Sequence, residues 1–293
     1  VTSHNKVNPL DGILLVAILA GAAFVAYRIS DQLEYTWNWS VIPQYLFRYD
    51  AGRGGYVANL LMLGLYTTIR LSIWSTLLAC LIGLTMGLFR ISGSLFLRLI
   101  GRTYVEAIRN LPPLVLIFIF YFFVSDQIIP VLGVDALERP GSSFAENALT
   151  FLFAPPGQIS GFLSAVITLA LYEGAYITEI VRAGIESVDR RQWEAAYALG
   201  LSRPQQIRHV ILPQALPRII PPLTGQFISA IKDSSIVSVI SIQELTYQGQ
   251  QLVATTYMIF EVWITVAVLY FALTFLCSMA AQRVERLMMA RAG

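Results

Sequence analysis

Three charged residues stand where charge is most costly. Glu173 lies about thirteen residues into one long apolar run, and Lys232 and Asp233 lie at similar depth in another. A charge at mid-bilayer costs roughly 2.5–3.5 kcal/mol on insertion scales, so each calls for a partner or a task. Two arrangements answer that. In the first, Glu173 and Lys232 neutralise each other and pin two helices together. In the second, they line a cavity in which Glu173 or Asp233 meets an ammonium and Lys232 a carboxylate. A zwitterion needs both signs close together where the dielectric is low. Tyr172, Gln226, Ser234 and Ser235 would add neutral hydrogen bonds, and Tyr176, one helical turn beyond Tyr172, lies on the same path.

The elements that hold these residues are membrane spans. The 293 residues are 56% hydrophobic and 13% charged, against the ~25% charged residues of an ordinary soluble domain. The composition and several long uncharged runs predict an all-α integral membrane protein with about six transmembrane helices. Their approximate limits are 11–29, 57–89, 104–125, 160–184, 216–240 and 257–281. The first run has only Lys6 as a basic residue upstream and no A-x-A-type cleavage site after it, which favours a retained span over a signal peptide. Ala79, Gly83 and Gly87, four apart, predict close helix packing. Segments 30–56 and 126–159 are the longest loops, with turn signals at Gly52–Gly55, Pro140-Gly141 and Pro155-Pro156-Gly157.

Basic residues orient the spans. The N-terminus, 90–109, 186–218 and 282–293 together hold 13 Lys and Arg, and the segments on the opposite side hold four. That bias predicts cytoplasmic N- and C-termini. Nearer the cytoplasmic boundary, Glu106 and Arg109, and likewise Glu179 and Arg182, are spaced i,i+3 for structural ion pairs at helix ends. Glu261 either lines a cavity or snorkels to the surface. Arg70 is either interfacial or partnered inside the bundle.

The stretch Trp193–Pro217 is hydrophilic between two such runs. Asp189 is placed to cap a helix through Arg191, Trp193, Glu194, Ala195 and Ala196 that ends near Gly200, followed by Leu201. Ser202 would cap a second helix with Pro204 in its first turn, and Pro213 and Pro217 would bend or end it. Ala196 and Gly200 would leave one side bare, open to close approach by another backbone.

Several chemistries are excluded. There is no G-x-x-x-x-G-K-[ST] loop for ATP phosphates. His4 and His209 cannot make a metal site with the buried Cys80 and Cys277, and no Ser-His-acid set can be placed, because His209 is in the hairpin and His4 near the terminus. Net charge is +2, with no basic stretch interleaved with aromatics, which argues against nucleic acid. Paired carboxylates at Glu173 and Asp233 would suit an intramembrane enzyme, but that reading leaves Lys232 and the hydrophilic hairpin without a reason.

Glu194-Ala195-Ala196, three residues, Gly200, nine residues, then Val210-Ile211-Leu212-Pro213 resembles the EAA signature of ABC importer permeases, with Val210 where Ile is usual. The segments Tyr104–Pro112, Ala175–Ile185 and Lys232–Ile236 resemble the YVE-x-x-R-x-x-P, AY-x-x-E-x-x-R-x-G-I and K-D-T-S-L segments of the polar amino acid (His/Gln/Glu/Arg-type) branch. The resemblance covers about residues 59–287 and implies a type I ABC importer permease fold over 57–287. Residues 1–56 would add an extra span and an extracytoplasmic loop. It further implies that a hairpin at about 187–213 docks on a cytoplasmic ABC ATPase dimer through Arg191, Trp193, Glu194, Ala195, Ala196, Gly200 and Leu201. The other implied partners are a second permease subunit, an extracytoplasmic binding protein and membrane lipid. ATP and Mg would be used by the ATPase partner, with no cofactor on this chain. A bacterial inner-membrane location follows. A non-transporting scaffold that docks an ATPase is the competing expectation.

Overall fold

The computed structural model describes residues 9–32, 35–52, 54–131, 133–134 and 142–292. His4, Lys6 and the expected turn at Pro140-Gly141 lie outside them. The chain forms two compact units, Val1–Ser40 and Val41–Gly293. The first contains α1 (Pro9–Gln32). After it comes an aromatic cluster in which the Trp37 and Trp39 rings stack at 5.9 Å.

The second unit opens with a short helix, α2 (Ile42–Leu46), and an antiparallel hairpin, β1 (Phe47–Asp50) with β2 (Gly55–Ala58). Gly54 supplies the left-handed turn residue at φ 64°. Thus part of the expected long loop 30–56 is ordered. Asn59 ties it to the bundle, its Nδ2 donating to the Gln44 carbonyl at 2.6 Å.

Six helices follow up to the centre of the bundle: α3 (Leu60–Arg90), α4 (Leu95–Arg109), α5 (Pro113–Ile119), α6 (Asp126–Val131), α7 (Ser143–Leu152) and α8 (Ile159–Glu186). The hydrophilic hairpin is α9 (Arg190–Ala198) and α10 (Arg203–Gln206). The chain then runs through α11 (Leu212–Asp233), α12 (Leu245–Thr256) and α13 (Ile259–Ala292).

Among the described residues, three helices are long and apolar enough to cross a membrane: α3, α8 and Ile259–Arg283 of α13. A fourth crossing arises if α4 and the segment Pro113–Phe123, bent by 113°, count as one. The expected third span, 104–125, is therefore not one straight helix. Leu111-Pro112-Pro113 explains the break: a residue preceding proline is pushed out of the helical region, and Pro112 sits at φ −59°, ψ 134°. The expected fifth span, 216–240, is α-helical only to Asp233 and tightens to 3₁₀ winding over Ser234–Ile240. The helix expected to bend or end at Pro213 and Pro217 instead continues. A π-wound turn at Ile207–Ile211 leads into α11, which carries Pro213 in its first turn and Pro217 inside it. A wide turn already leaves backbone groups unpaired, so a proline N–H is not missed there.

α8 is the central strut, with 72% of its apolar window buried, against 6% for that of α13. The lipid-like environment expected for α13 accounts for its exposed Phe271, Phe275 and Leu276. The small stripe of α3 meets α8: a Cβ on Gly83 would stand 2.5 Å from Ile177 Cγ2, so only a bare backbone permits this spacing. Gly184 does the same for α8 and α11, since a Cβ there would sit 2.2 Å from Ile219 Cγ1 but 3.5 Å from Ile219 Cβ. Gly184→Ala is therefore expected to destabilise by about 1–3 kcal/mol through overpacking. Adding Ile219→Ala should recover part of that loss, because it removes the clashing atoms. Thermal unfolding in detergent measures both, and strictly additive losses would contradict the contact.

Candidate functional site: an intramembrane acid pair and an exposed hairpin

Glu173 is 1% exposed. Its Oε2 accepts a hydrogen bond from Gln226 Nε2 on α11. Its Oε1 is buried without a donor among the described residues. The Asp233 carboxyl is its other close neighbour. Two facing carboxyls share a proton or hold a cation between them. No ion pair joins Glu173 to Lys232 among the described residues, and Lys232 is exposed. The internal Glu173–Lys232 pair considered from sequence is thus not formed, because adjacent residues on a helix point about 100° apart. Asp233 turns inward and Lys232 outward.

Tyr172 and Tyr176 frame the pair. Their hydroxyls are 3.4 Å apart, and Tyr172 lies close enough to feel both carboxyls. The Arg109 guanidinium sits over the Tyr176 ring at 5.1 Å, a cation–π contact. Ser234 is buried and donates to the Ile231 carbonyl at 2.8 Å, and Ser235 is half-buried beside it. The change of winding at Ser234 ends an α-helix beside Asp233.

The expected Glu106–Arg109 ion pair is replaced by another. Glu106 Oε1 accepts from Arg102 Nε at 2.6 Å, one turn earlier, while Arg109 is drawn to Tyr176. Glu179 and Arg182 approach to 2.8 Å, and Arg90 and Glu186 join them in one network. Arg218 Nη1 donates to the Ser187 carbonyl and, at 3.0 Å, to its hydroxyl. Gln214 bonds Gln192 at 3.2 Å. These contacts clamp both roots of the hairpin to the ends of α3, α8 and α11.

On the hairpin, Asp189 accepts from the Arg191 N–H at 2.9 Å. Ser202 and Gln205 close the second start, with Gln205 Oε1 accepting from the Ser202 N–H at 2.8 Å. Gly200 adopts φ 77° and a Cβ there would meet nothing. Its requirement is thus backbone conformation as a helix C-cap. Ala196 is 1% exposed, so its bare side packs within the chain and does not face outward as expected. Arg191, Glu194 and Ala195 are exposed, and Trp193 and Leu201 are half-buried. The Arg203 guanidinium stacks 4.5 Å from the Trp193 ring. Trp193, Glu194, Leu201 and Arg203 line an open cleft of about 500 Å³. Sequence reading passed over Tyr197 and Leu199, which are 77% and 79% exposed. Large apolar residues inside an otherwise hydrophilic hairpin were the available signal.

It also passed over Glu244. This fully buried carboxylate caps α12, accepting from the Thr246 and Tyr247 N–H groups at 2.9 and 2.7 Å and from the Tyr270 hydroxyl at 2.7 Å. It joins α12 to α13, and at 3.5 Å Thr68 links it to α3. Its N-cap position was the signal. Glu261 is 0% exposed, so it does not snorkel. Arg70 is partnered: its guanidinium donates to the Thr150 carbonyl and, at 3.2 Å, to Thr67 Oγ1. Cys80 and Cys277 are free and half-buried, and no group of three or more metal-ligating side chains occurs among the described residues.

The comparisons with known proteins agree with this architecture. A family profile described as "binding-protein-dependent transport system inner membrane component" matches residues 79–289. The glutamine transport system permease protein GlnP of Escherichia coli is 36% identical over 229 residues, covering 78% of this chain and 93% of that protein. The glutamate/aspartate import permease protein GltJ of the same species is 30% identical over 254 residues, covering 87% and 96%. A crystal structure of an amino acid ABC transporter with histidines aligns at TM-score 0.64 and 30% identity, over 86% of this chain and 99% of that one. This chain belongs to the family of inner membrane components of binding-protein-dependent transport systems, the ABC importer permeases, and is a non-enzymatic membrane subunit.

Proposed function

We propose that this chain is the permease subunit of an ATP-driven importer of polar amino acids in a bacterial cytoplasmic membrane. Residues 57–287 form its translocating domain, and both termini lie in the cytoplasm with the hairpin. A separate ATPase dimer, using ATP and Mg, grips the hairpin through Arg191, Trp193, Glu194, Gly200 and Leu201. A second permease subunit, the same or related, closes the pathway, and an extracytoplasmic binding protein delivers substrate to the opposite end.

The observation that carries this reading is the pairing of two features along α8 and α11. An acid pair with an oxygen that no donor reaches among the described residues sits within the bundle, and an exposed hairpin tied at its roots by the Arg218–Ser187 and Gln214–Gln192 hydrogen bonds sits at its end. Motion of the hairpin roots therefore moves the helices that hold Glu173 and Asp233, which is what rocking between two access states requires. Within the site, the Glu173 and Asp233 carboxyls take the ammonium. Arg109, stacked on Tyr176, takes the carboxylate.

Reconstituting the complex in vesicles tests this. Binding protein plus amino acid is expected to raise ATP turnover several-fold and to fill the vesicles with substrate. Unchanged turnover and empty vesicles would favour a scaffold that merely docks the ATPase.

A further inference from the structure

We propose that α7, within the long segment between the third and fourth expected spans, is an interfacial helix. Its Phe144–Phe151 face sits in the acyl-chain boundary of the membrane leaflet farther from the hairpin.

The depth comes from α3. Arg70 and Arg90 bracket nineteen uncharged residues, a rise of about 30 Å at 1.5 Å per residue, which matches the hydrocarbon core of a bilayer. Arg90 marks the hairpin end through its bond to Glu179. Arg70 then marks the opposite boundary, and the first turns of α3 project beyond it. This explains why the helix is longer than a single crossing needs.

α7 is tied to that boundary by its C-terminal carbonyls. Arg70 donates to the Thr150 carbonyl, and Trp74 Nε1 donates to the Leu152 carbonyl at 2.8 Å. A cation and an indole N–H at a helix C-terminus satisfy carbonyls that have no helical partner. The Trp74 ring stacks on Phe153 at 4.9 Å, with its apolar body inward and its N–H on the backbone, as tryptophans in membrane-interface belts are arranged.

The face follows from the helical wheel. At about 100° per residue, Phe151, Phe144, Ala148, Leu152, Ala145 and Leu149 occupy one arc of roughly 160°. Glu146, Thr150, Ser143 and Asn147 occupy the arc opposite. The protein core takes only one edge of the apolar arc, where Leu149 packs against the buried cluster of Ile159 and Phe162. Phe144 and Phe151, at the other edge, are 83% and 79% exposed. Two phenyl rings one heptad apart, held at the hydrocarbon boundary beside a polar face, fit an interfacial helix with lipid chains filling the vacant edge. Water would leave both rings hydrated at a cost of about 1.5–3 kcal/mol each.

Nitroxide scanning tests the proposal in the complete transporter, in phosphatidylcholine–phosphatidylglycerol vesicles. Labels go on Phe144→Cys, Phe151→Cys and Glu146→Cys in a Cys80→Ala/Cys277→Ala background. These positions are exposed, so the labels disturb no packing. Power saturation is expected to show oxygen accessibility several-fold above that of a neutral nickel chelate at positions 144 and 151, with the order reversed at 146. Nickel dominance at 144 and 151 would place the face in water. Protection from both reagents would place it under another protein surface. Either result overturns the assignment.

Discussion

Glu173→Gln is expected to cut amino acid uptake per folded complex by about ten- to a hundredfold, the loss of one charge-assisted hydrogen bond to a substrate ammonium. It should leave the chain folded. The carboxylate is buried, accepts one bond from Gln226, and has a second oxygen that no described donor reaches. An internal salt bridge would make the substitution a folding defect, because breaking a buried pair strands the partner charge at a cost of about 3–5 kcal/mol. No such partner faces Glu173 among the described residues, since Lys232 is exposed. A glutamine would even supply an N–H₂ donor toward Asp233. The measurement is uptake normalised to monodisperse protein, together with thermal stability. Normal uptake per folded complex with a large loss of stability would return Glu173 to a structural role.

Leu199→Glu is expected to abolish ATPase copurification and transport while leaving unfolding temperature unchanged. Leu199 is 79% exposed, as is Tyr197 at 77%, so neither stabilises the isolated chain by burial. Large apolar side chains held on a rigid hairpin are what a partner's groove would bury, and such anchors are worth ~2 kcal/mol or more each. Placing a charge there adds a desolvation penalty, so the expected loss of affinity exceeds about thirtyfold. Gly200→Trp should act differently. With φ at 77° and no neighbour within 4 Å of a Cβ, its cost comes first from backbone strain of about 1–2 kcal/mol. It should therefore distort the hairpin and lower stability as well as coupling. Intact ATPase copurification with Leu199→Glu would mean that the hairpin is not the docking element.

Much of this molecule was legible from the residues. Run lengths and charge content gave a helical membrane protein, because a bilayer interior admits few other backbones. The Asp189 and Ser202 caps and the glycine turn of the hairpin could be read locally, since capping is a contact between residues two or three apart. The small stripe on α3 was legible as a packing face because spacing alone places Ala79, Gly83 and Gly87 in line.

What needed tertiary structure was every question of partner choice across the chain. Sequence offered Lys232 to Glu173, and the fold gave it Gln226 and Asp233, because the rotation of α11 is fixed by packing at Gly184 and Ile219. Sequence offered Arg109 to Glu106, and the fold sent it to Tyr176 on another helix. Arg70 found a carbonyl on α7, eighty residues away, a contact no local pattern encodes. Periodicity fixes which way a side chain points from its own helix. The energy of an intramembrane charge depends on which other helix turns toward it, and that is settled only when the helices pack.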